Sequence, residues 1–211
     1  MRSPTRFIVT TGTLLVLACT SGCVVSDFPL SDPAPSDADK LLYGRWRADD
    51  ADAHSTIEFA PPTETTPKVR GLGNERVMVQ TLARYEKDEK QPVSVATNRV
   101  FVTEIGGTWF LNLYDEQERG YFILRYQIDG DTLDTWRMDA NATADALRHG
   151  DLLTGEVTYE KGSAERVRIK PTFREDGTSV SKLRALLTGK DAEQIFPVDC
   201  KTRYKRIKVE K

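Results

Sequence analysis

The stretch RVFVTEIGGTWFLNLYDEQERGYFILRYQIDGDTLDTWRM, residues 99–138, decides the fold class. It divides into four runs rich in Val, Ile, Thr and aromatics: Arg99–Ile105, Trp109–Tyr114, Tyr121–Ile128 and Thr132–Met138. β-Branched and aromatic side chains suit a pleated, half-buried surface, so these runs read as strands. Gly106-Gly107 separates the first two, and Asp129-Gly130-Asp131 separates the last two. Both junctions supply the positive-φ residues that tight primed turns need. In the second run Trp109, Leu111 and Leu113 alternate with Phe110, Asn112 and Tyr114, the period of a strand with two distinct faces. Short strands joined by close turns make an antiparallel meander.

The same texture extends outward to Arg45–Ala48, Ser55–Ala60, Glu75–Glu86, Gly155–Tyr159, Arg166–Lys170 and Arg203–Val209. Helix is a minor component. Thr143–His149 has room for about two turns. Ser179–Thr188 is the better helix, with Val180, Leu183, Leu186 and Leu187 on one face and Gly189 as its stop.

A chain of 211 residues with 39% hydrophobic and 29% charged residues is long enough for one sizeable domain and has no disorder signature. Thirty Lys and Arg against 32 Asp and Glu leave no global nucleic-acid footprint. Two histidines and three cysteines are too few for a zinc site or a disulfide scaffold, and no metal or cofactor is expected. Asp49-Asp50-Ala51-Asp52-Ala53-His54 gathers oxygens without the spacing of a calcium loop and reads as a solvated hairpin loop. The basic residues of 201–211 read as the exposed face of a strand, with contact to an anionic membrane surface or another polyanion as the alternative use.

Catalytic patterns are missing. There is no Gly-x-Ser-x-Gly elbow. Gly71-Leu72-Gly73 lacks the third glycine of a dinucleotide loop, and Gly189-Lys190 lacks the rest of a phosphate loop. The chain does not read as an enzyme.

The N-terminus carries an address. Arg2 and Arg6 precede the apolar run Phe7 to Ala18, which is far short of the ~20 residues a spanning helix needs. Ala18-Cys19-Thr20-Ser21-Gly22-Cys23 follows and resembles a bacterial lipoprotein signal, in which a small residue precedes the cysteine that receives lipid. Cys23, after Gly22, is the favoured site, and Cys19, after Val16-Leu17-Ala18, is the alternative. With Cys23 acylated, Cys200 is a lone thiol; with Cys19 acylated, Cys23 and Cys200 could pair. The expected organisation is a signal peptide over 1–22, a lipid-anchored Pro-rich tether over 23–39, extended and mobile, and a domain over 40–211.

The domain opens on Leu42-Tyr43-Gly44-Arg45-Trp46. Gly44-x-Trp46 at the head of the first strand resembles the lipocalin signature, and the chain as a whole is similar to a group of bacterial lipoproteins with a lipocalin-like domain. The resemblance implies a mainly β fold, an antiparallel up-and-down β-barrel with one short helix near the C-terminus. It also implies that an Arg near the C-terminus, Arg203 or Arg206, packs across Trp46 and closes one end of the barrel. The mid-barrel Thr-Asp-Tyr turn of that family is absent.

The aromatic residues concentrate in the middle of the chain. Trp109, Tyr126 and Trp136 are candidates to line a cavity for a small apolar ligand, with core filling as the plainer use of the same side chains. The expected function is a membrane-anchored lipoprotein of the cell envelope that binds a small hydrophobic molecule inside its barrel. In a Gram-negative host the outer membrane, facing the periplasm, is the expected location. The alternative is a non-catalytic interaction module with a solid barrel core and an envelope protein as its partner.

Overall fold

The computed structural model describes residues 22–33, 37–49, 55–61, 77–85, 92, 94–149, 154–160, 163–171 and 178–208. Among them are eleven strands in one continuous sheet. Eight of these close on themselves: β2 (Gly44–Ala48), β3 (Ser55–Ala60), β4 (Met78–Arg84), β5 (Ser94–Ile105), β6 (Thr108–Asp115), β7 (Gly120–Asp129), β8 (Thr132–Arg137) and β11 (Lys201–Arg206). Each barrel strand pairs antiparallel with its neighbours, and β11 completes the ring between β8 and β2. The expected up-and-down barrel is therefore present. The expected hairpins hold too, with Gly106 and Gly107 at φ 59° and 83° between β5 and β6.

The alternation along the strands sorts the barrel interior. Trp46, Ile57, Phe59, Met78, Leu82, Val100, Val102, Leu111, Leu113, Leu124, Tyr126 and Leu133 form one buried cluster inside the ring. Apolar area removed from water stabilises the fold by roughly 25 cal/mol per Å2, which makes this cluster the main support of the barrel.

The remaining elements do not join the ring. β1 (Cys23–Ser26) pairs parallel with β10 (Ser163–Lys170), which pairs antiparallel with β9 (Thr154–Glu160). This three-stranded extension branches from the side of β7 at the pairing of Ser26 with Tyr121, where β8 has already ended against Leu124. Helices α2 (Ala140–His149), α3 (Thr178–Thr188) and α4 (Ala192–Ile195) pack with it. Together they form a second core against the outer barrel wall, in which Phe110 and Ile123 meet Val24, Val167, Ile169, Leu183, Leu187 and Phe196.

Two expectations change. The 40–211 segment is not wholly barrel, because residues between β8 and β11 build this second layer. Residues 23–33 are also not a mobile tether. Val25 and Leu30 are fully buried, the Leu30 N–H donates to Asn112 Oδ1 at 2.8 Å, and Ser31 Oγ shares a 2.6 Å hydrogen bond with Thr103 Oγ1. The three prolines of the segment 26–36 suggested chain without partners, yet the partners exist on the barrel wall. Residues 34–36 lie outside the described residues.

Candidate functional site in the barrel interior

One end of the barrel is closed by a specific cluster. Helix α1 (Asp37–Leu42) leads into β2 through Tyr43 and Gly44. Gly44 has φ 120°, and a Cβ there would lie 3.1 Å from Arg206 Nη1, so glycine both turns the chain and leaves space for the guanidinium. Trp46 is fully buried, and its indole N–H donates to the Leu42 carbonyl at 2.9 Å. Arg206 lies 3.9 Å from the centre of the Trp46 ring and donates to the carbonyls of Tyr43 and Leu41 at 2.8 and 2.7 Å. Of the two expected closure arginines, Arg206 makes the contact.

Arg203 does not. It stands one position out of phase with Arg206 and Tyr204, so its side chain leaves on the outer face. There it makes a two-pronged pair with Asp134, with bonds of 2.8 and 3.1 Å, while Lys201 approaches the same carboxylate at 2.7 Å. Burial pushes the Asp134 carboxyl up, but the hydrogen bonds from Arg203 and Lys201 hold it below its ordinary value.

The aromatic candidates divide in the same way. Trp109 and Tyr126 are cross-strand partners whose side chains join the inner cluster. Trp136 belongs to the second core instead, so it does not line the barrel interior. Its neighbours Leu133 and Thr135 take the inward phase, which turns Trp136 out. Its ring carries two cations, Arg125 and Lys201, each 4.8 Å from the centroid. Arg125 also reaches Glu193 at 2.7 Å and the Phe196 carbonyl at 3.3 Å, so this stack ties α4 to the wall.

The other end of the interior is different in chemistry. Strand phase turns Gln80 and Arg84 inward with Leu82, Asn98 with Val100, Phe122 with Leu124, Arg137 with Leu133, and Tyr204 with Arg206. Asn98 donates to Gln80 Oε1 at 3.0 Å across the β4–β5 pair. Arg84, Asn98, Phe122, Arg137 and Tyr204 are all only partly buried, whereas Trp46, Phe59, Met78, Val100, Leu111 and Leu133 are fully enclosed. Trp109 and Ile128, at the Trp46 end, are also only partly buried, so the two ends differ in chemistry: one is apolar and capped by Trp46 and Arg206, and the other is polar and cationic.

Burial pushes the Tyr204 phenol up to about 12, with Arg137 and Arg84 drawing it back down from either side. Burial also lowers Arg137. These inward polar residues were missed in the sequence. Their signal was present, because each stands in phase with apolar core positions of its own strand.

Cys23 lies beside this end. With Gly22, Val24, Phe122, Ile123, Leu124, Arg137 and Met138 it lines a cavity of about 30 Å3 in the seam between β1 and β8, enough for one water. Its thiol is free and is pushed up to about 11, first by burial and then by Glu118. Cys200 is disulfide-bonded, so a Cys23–Cys200 pair is not formed. Cys19 and the carboxylates of the 50–54 loop lie outside the described residues, and Asp49 sits at the end of β2. Among the described residues no group of three or more His, Cys, Asp and Glu could hold a metal ion. No known protein family matches the chain, and no curated protein matches it in sequence.

Proposed function

We propose that this chain is an exported lipoprotein, acylated at Cys23, whose lipocalin-like barrel holds a small apolar ligand admitted through the end opposite Trp46. The observation that carries the reading is the asymmetry of the interior. One end is capped by Trp46, Arg206 and α1 and lined by apolar side chains, while Arg84, Asn98, Arg137 and Tyr204 make the inward residues toward the other end polar and cationic. A barrel of eight strands has an interior of a size that side chains or one small ligand can fill. The leader with Arg2, Arg6 and its short apolar run supports export to the envelope. Gly22 immediately before Cys23 supports that residue as the anchor.

Native mass spectrometry tests the ligand. The chain is exported behind a cleavable signal and kept from Gly22 onward, so that β1 is retained. An added mass that survives desalting and leaves on denaturation is the expected result. A bare mass, with no binding from a screen of lipids and metabolites, overturns the carrier reading.

One observation favours the alternative of an envelope interaction module. β9 ends the sheet order, and six of its seven residues are exposed, so its outer edge presents backbone groups to which a partner strand could add. In that case the barrel packs solid, and a protein co-purifies through β9 instead of a small molecule.

A further inference from the structure

We infer that the face of the β1–β10–β9 extension bearing Cys23 is a contact surface for the anionic head groups of a phospholipid bilayer. The inference rests on the reading that Cys23 carries the lipid, and it adds the side of the domain that faces the membrane.

The strand register places the groups. In the parallel pair, Cys23 stands directly beside Arg166 and Val25 beside Arg168, while Val24 stands beside Val167 and Ser26 beside Ile169. Directly paired residues share a face. Val24, Val167 and Ile169 point into the second core. Cys23, Val25, Arg166, Arg168 and Lys170 therefore share the opposite face; Val25 is fully buried there beside Gly120, so the exposed part of this face lies on β10 and β9, with successive cations about 6.6 Å apart along β10. An open groove of about 410 Å3 runs along this face, lined by Arg166, Arg168, Lys170, Glu156 and Thr158.

The acids around this row lie at different depths, and at Arg166 the acid is the deeper partner. Arg166 bonds Glu118, but the Arg166 side chain is 48% exposed and the Glu118 side chain 18%, so the acid lies beneath the cation. Arg168 is held by Asp27 at 2.6 Å and by the Glu118 carbonyl at 3.0 Å from both terminal nitrogens. These bonds fix its guanidinium at the base of the groove. Lys170 pairs with Glu156, the one acid among the described residues that lines it; that carboxylate is more exposed than the amine, 68% against 38%, so Arg166 is the cation that faces outward most freely.

Distance from the anchor selects the partner. With residues 23–33 folded into the domain, no free tether separates an acylated Cys23 from the sheet. The lipid would leave the chain one strand away from Arg166, which holds this face at the bilayer surface. A cation there acts within the ~8–10 Å over which surface charge is felt at physiological salt.

The test uses mature protein extracted from membranes and returned to vesicles, either of phosphatidylcholine alone or of phosphatidylcholine mixed with phosphatidylglycerol. Amide hydrogen exchange is read across residues 154–170. Exchange in β9 is expected to slow several-fold on the mixed vesicles relative to the neutral ones. The protection should fade in high salt and in an Arg166→Gln, Lys170→Gln double variant. Equal exchange on both vesicle types overturns the surface. The salt series on the unaltered protein decides the matter if the double variant fails to fold.

The intact mass of the same preparation reports acylation of Cys23 separately. If no acyl group is found, the chain is offered to the vesicles from solution. Salt-sensitive association with the mixed vesicles alone then keeps the surface while the anchor reading falls. Association with neither removes both.

Discussion

Arg206 lies over the Trp46 ring at 3.9 Å while the indole N–H is satisfied by the Leu42 carbonyl, so one guanidinium and one indole join the last strand, the first barrel strand and the helix before it. A desolvated cation–π contact contributes up to ~2 kcal/mol, and a hydrogen bond from a charged group ~1.5–3. Arg206→Ala should therefore lower stability by roughly 2–4 kcal/mol, a fall of about 5–12 °C in Tm for a chain of this size. Arg203→Ala should cost about 1 kcal/mol or less, because it removes an exposed pair and leaves Lys201 on Asp134. Thermal unfolding of the two variants side by side checks this. Equal shifts would mean that the closure does not depend on Arg206.

Asn112 is the fastening for the N-terminal segment. It is fully buried, accepts from the Leu30 N–H, and donates to Thr103 Oγ1 at 2.9 Å and to the Phe101 carbonyl at 3.3 Å. Asn112→Ala leaves the Leu30 N–H without its acceptor, at a cost of about 2–3 kcal/mol. Limited proteolysis should then cut within residues 27–33 at a protease concentration that spares the unaltered chain. Resistance identical to the parent would show that this segment is held by its apolar contacts alone.

The two tryptophans of the mid-chain aromatic group should behave oppositely. Trp109 is part of the inner cluster, whereas Trp136 supports Arg125 and Lys201 outside the barrel. Trp136→Ala should cost about 3 kcal/mol of stability and leave any bound mass in place. Trp109→Ala should weaken retention of the ligand in native mass spectra. A bound mass lost only in the Trp136 variant would place the ligand outside the barrel.

Burial sets the chemistry of Cys23. In a chain produced without its lipid, a thiol pushed up to about 11 is almost wholly protonated at pH 8, and the thiolate is the reactive form. Alkylation of the folded chain should run about 100-fold slower than that of an ordinary thiol of pKa 9.0, and climb about tenfold per pH unit through pH 10. A plateau near pH 9 would contradict the burial. The same shift bears on stability: between pH 9 and 11 the unfolded thiol ionises while the folded one keeps its proton, so stability falls as pH rises. Tyr204, pushed up to about 12, works in the same direction above pH 10.

Processing can be read from a cysteine count. The full chain has three cysteines and holds Cys200 in a disulfide. Cleavage before Cys23, with that residue acylated, leaves the mature chain unable to form an internal disulfide. Its intact mass should then be unchanged by reduction. A gain of two hydrogens on reduction would place cleavage upstream of Cys23 and remove it as the anchor.

The barrel was legible because a strand's faces are set by a period of two that needs no tertiary information. Trp109, Leu111 and Leu113 had to share a face, and the glycine turns had to return the chain beside itself. Gly44 and Trp46 marked the closed end, and Arg206 was one of two residues able to complete it. The same rule applied to Trp136 and Arg137 would have turned the first outward and the second inward. Residue type had instead made Trp136 a candidate for the interior and left Arg137 unremarked.

The sequence by itself determined the barrel strands, their turns and Trp46 as the closing residue, while the structure chose Arg206 over Arg203 and made a strand of Cys23–Ser26. Only the tertiary structure decided what covers the outer wall. Asn112 and Thr103 are polar residues at the positions that alternation assigns to water, and a segment rich in proline and aspartate looks unattached when read alone. Their hydrogen bonds join residues 82 and 72 positions apart. No local pattern encodes such a pairing, because a buried amide is satisfied by whichever partner the fold brings to it. The second core, the position of Cys23 at the barrel's polar end and the row of cations beside it follow from that covering.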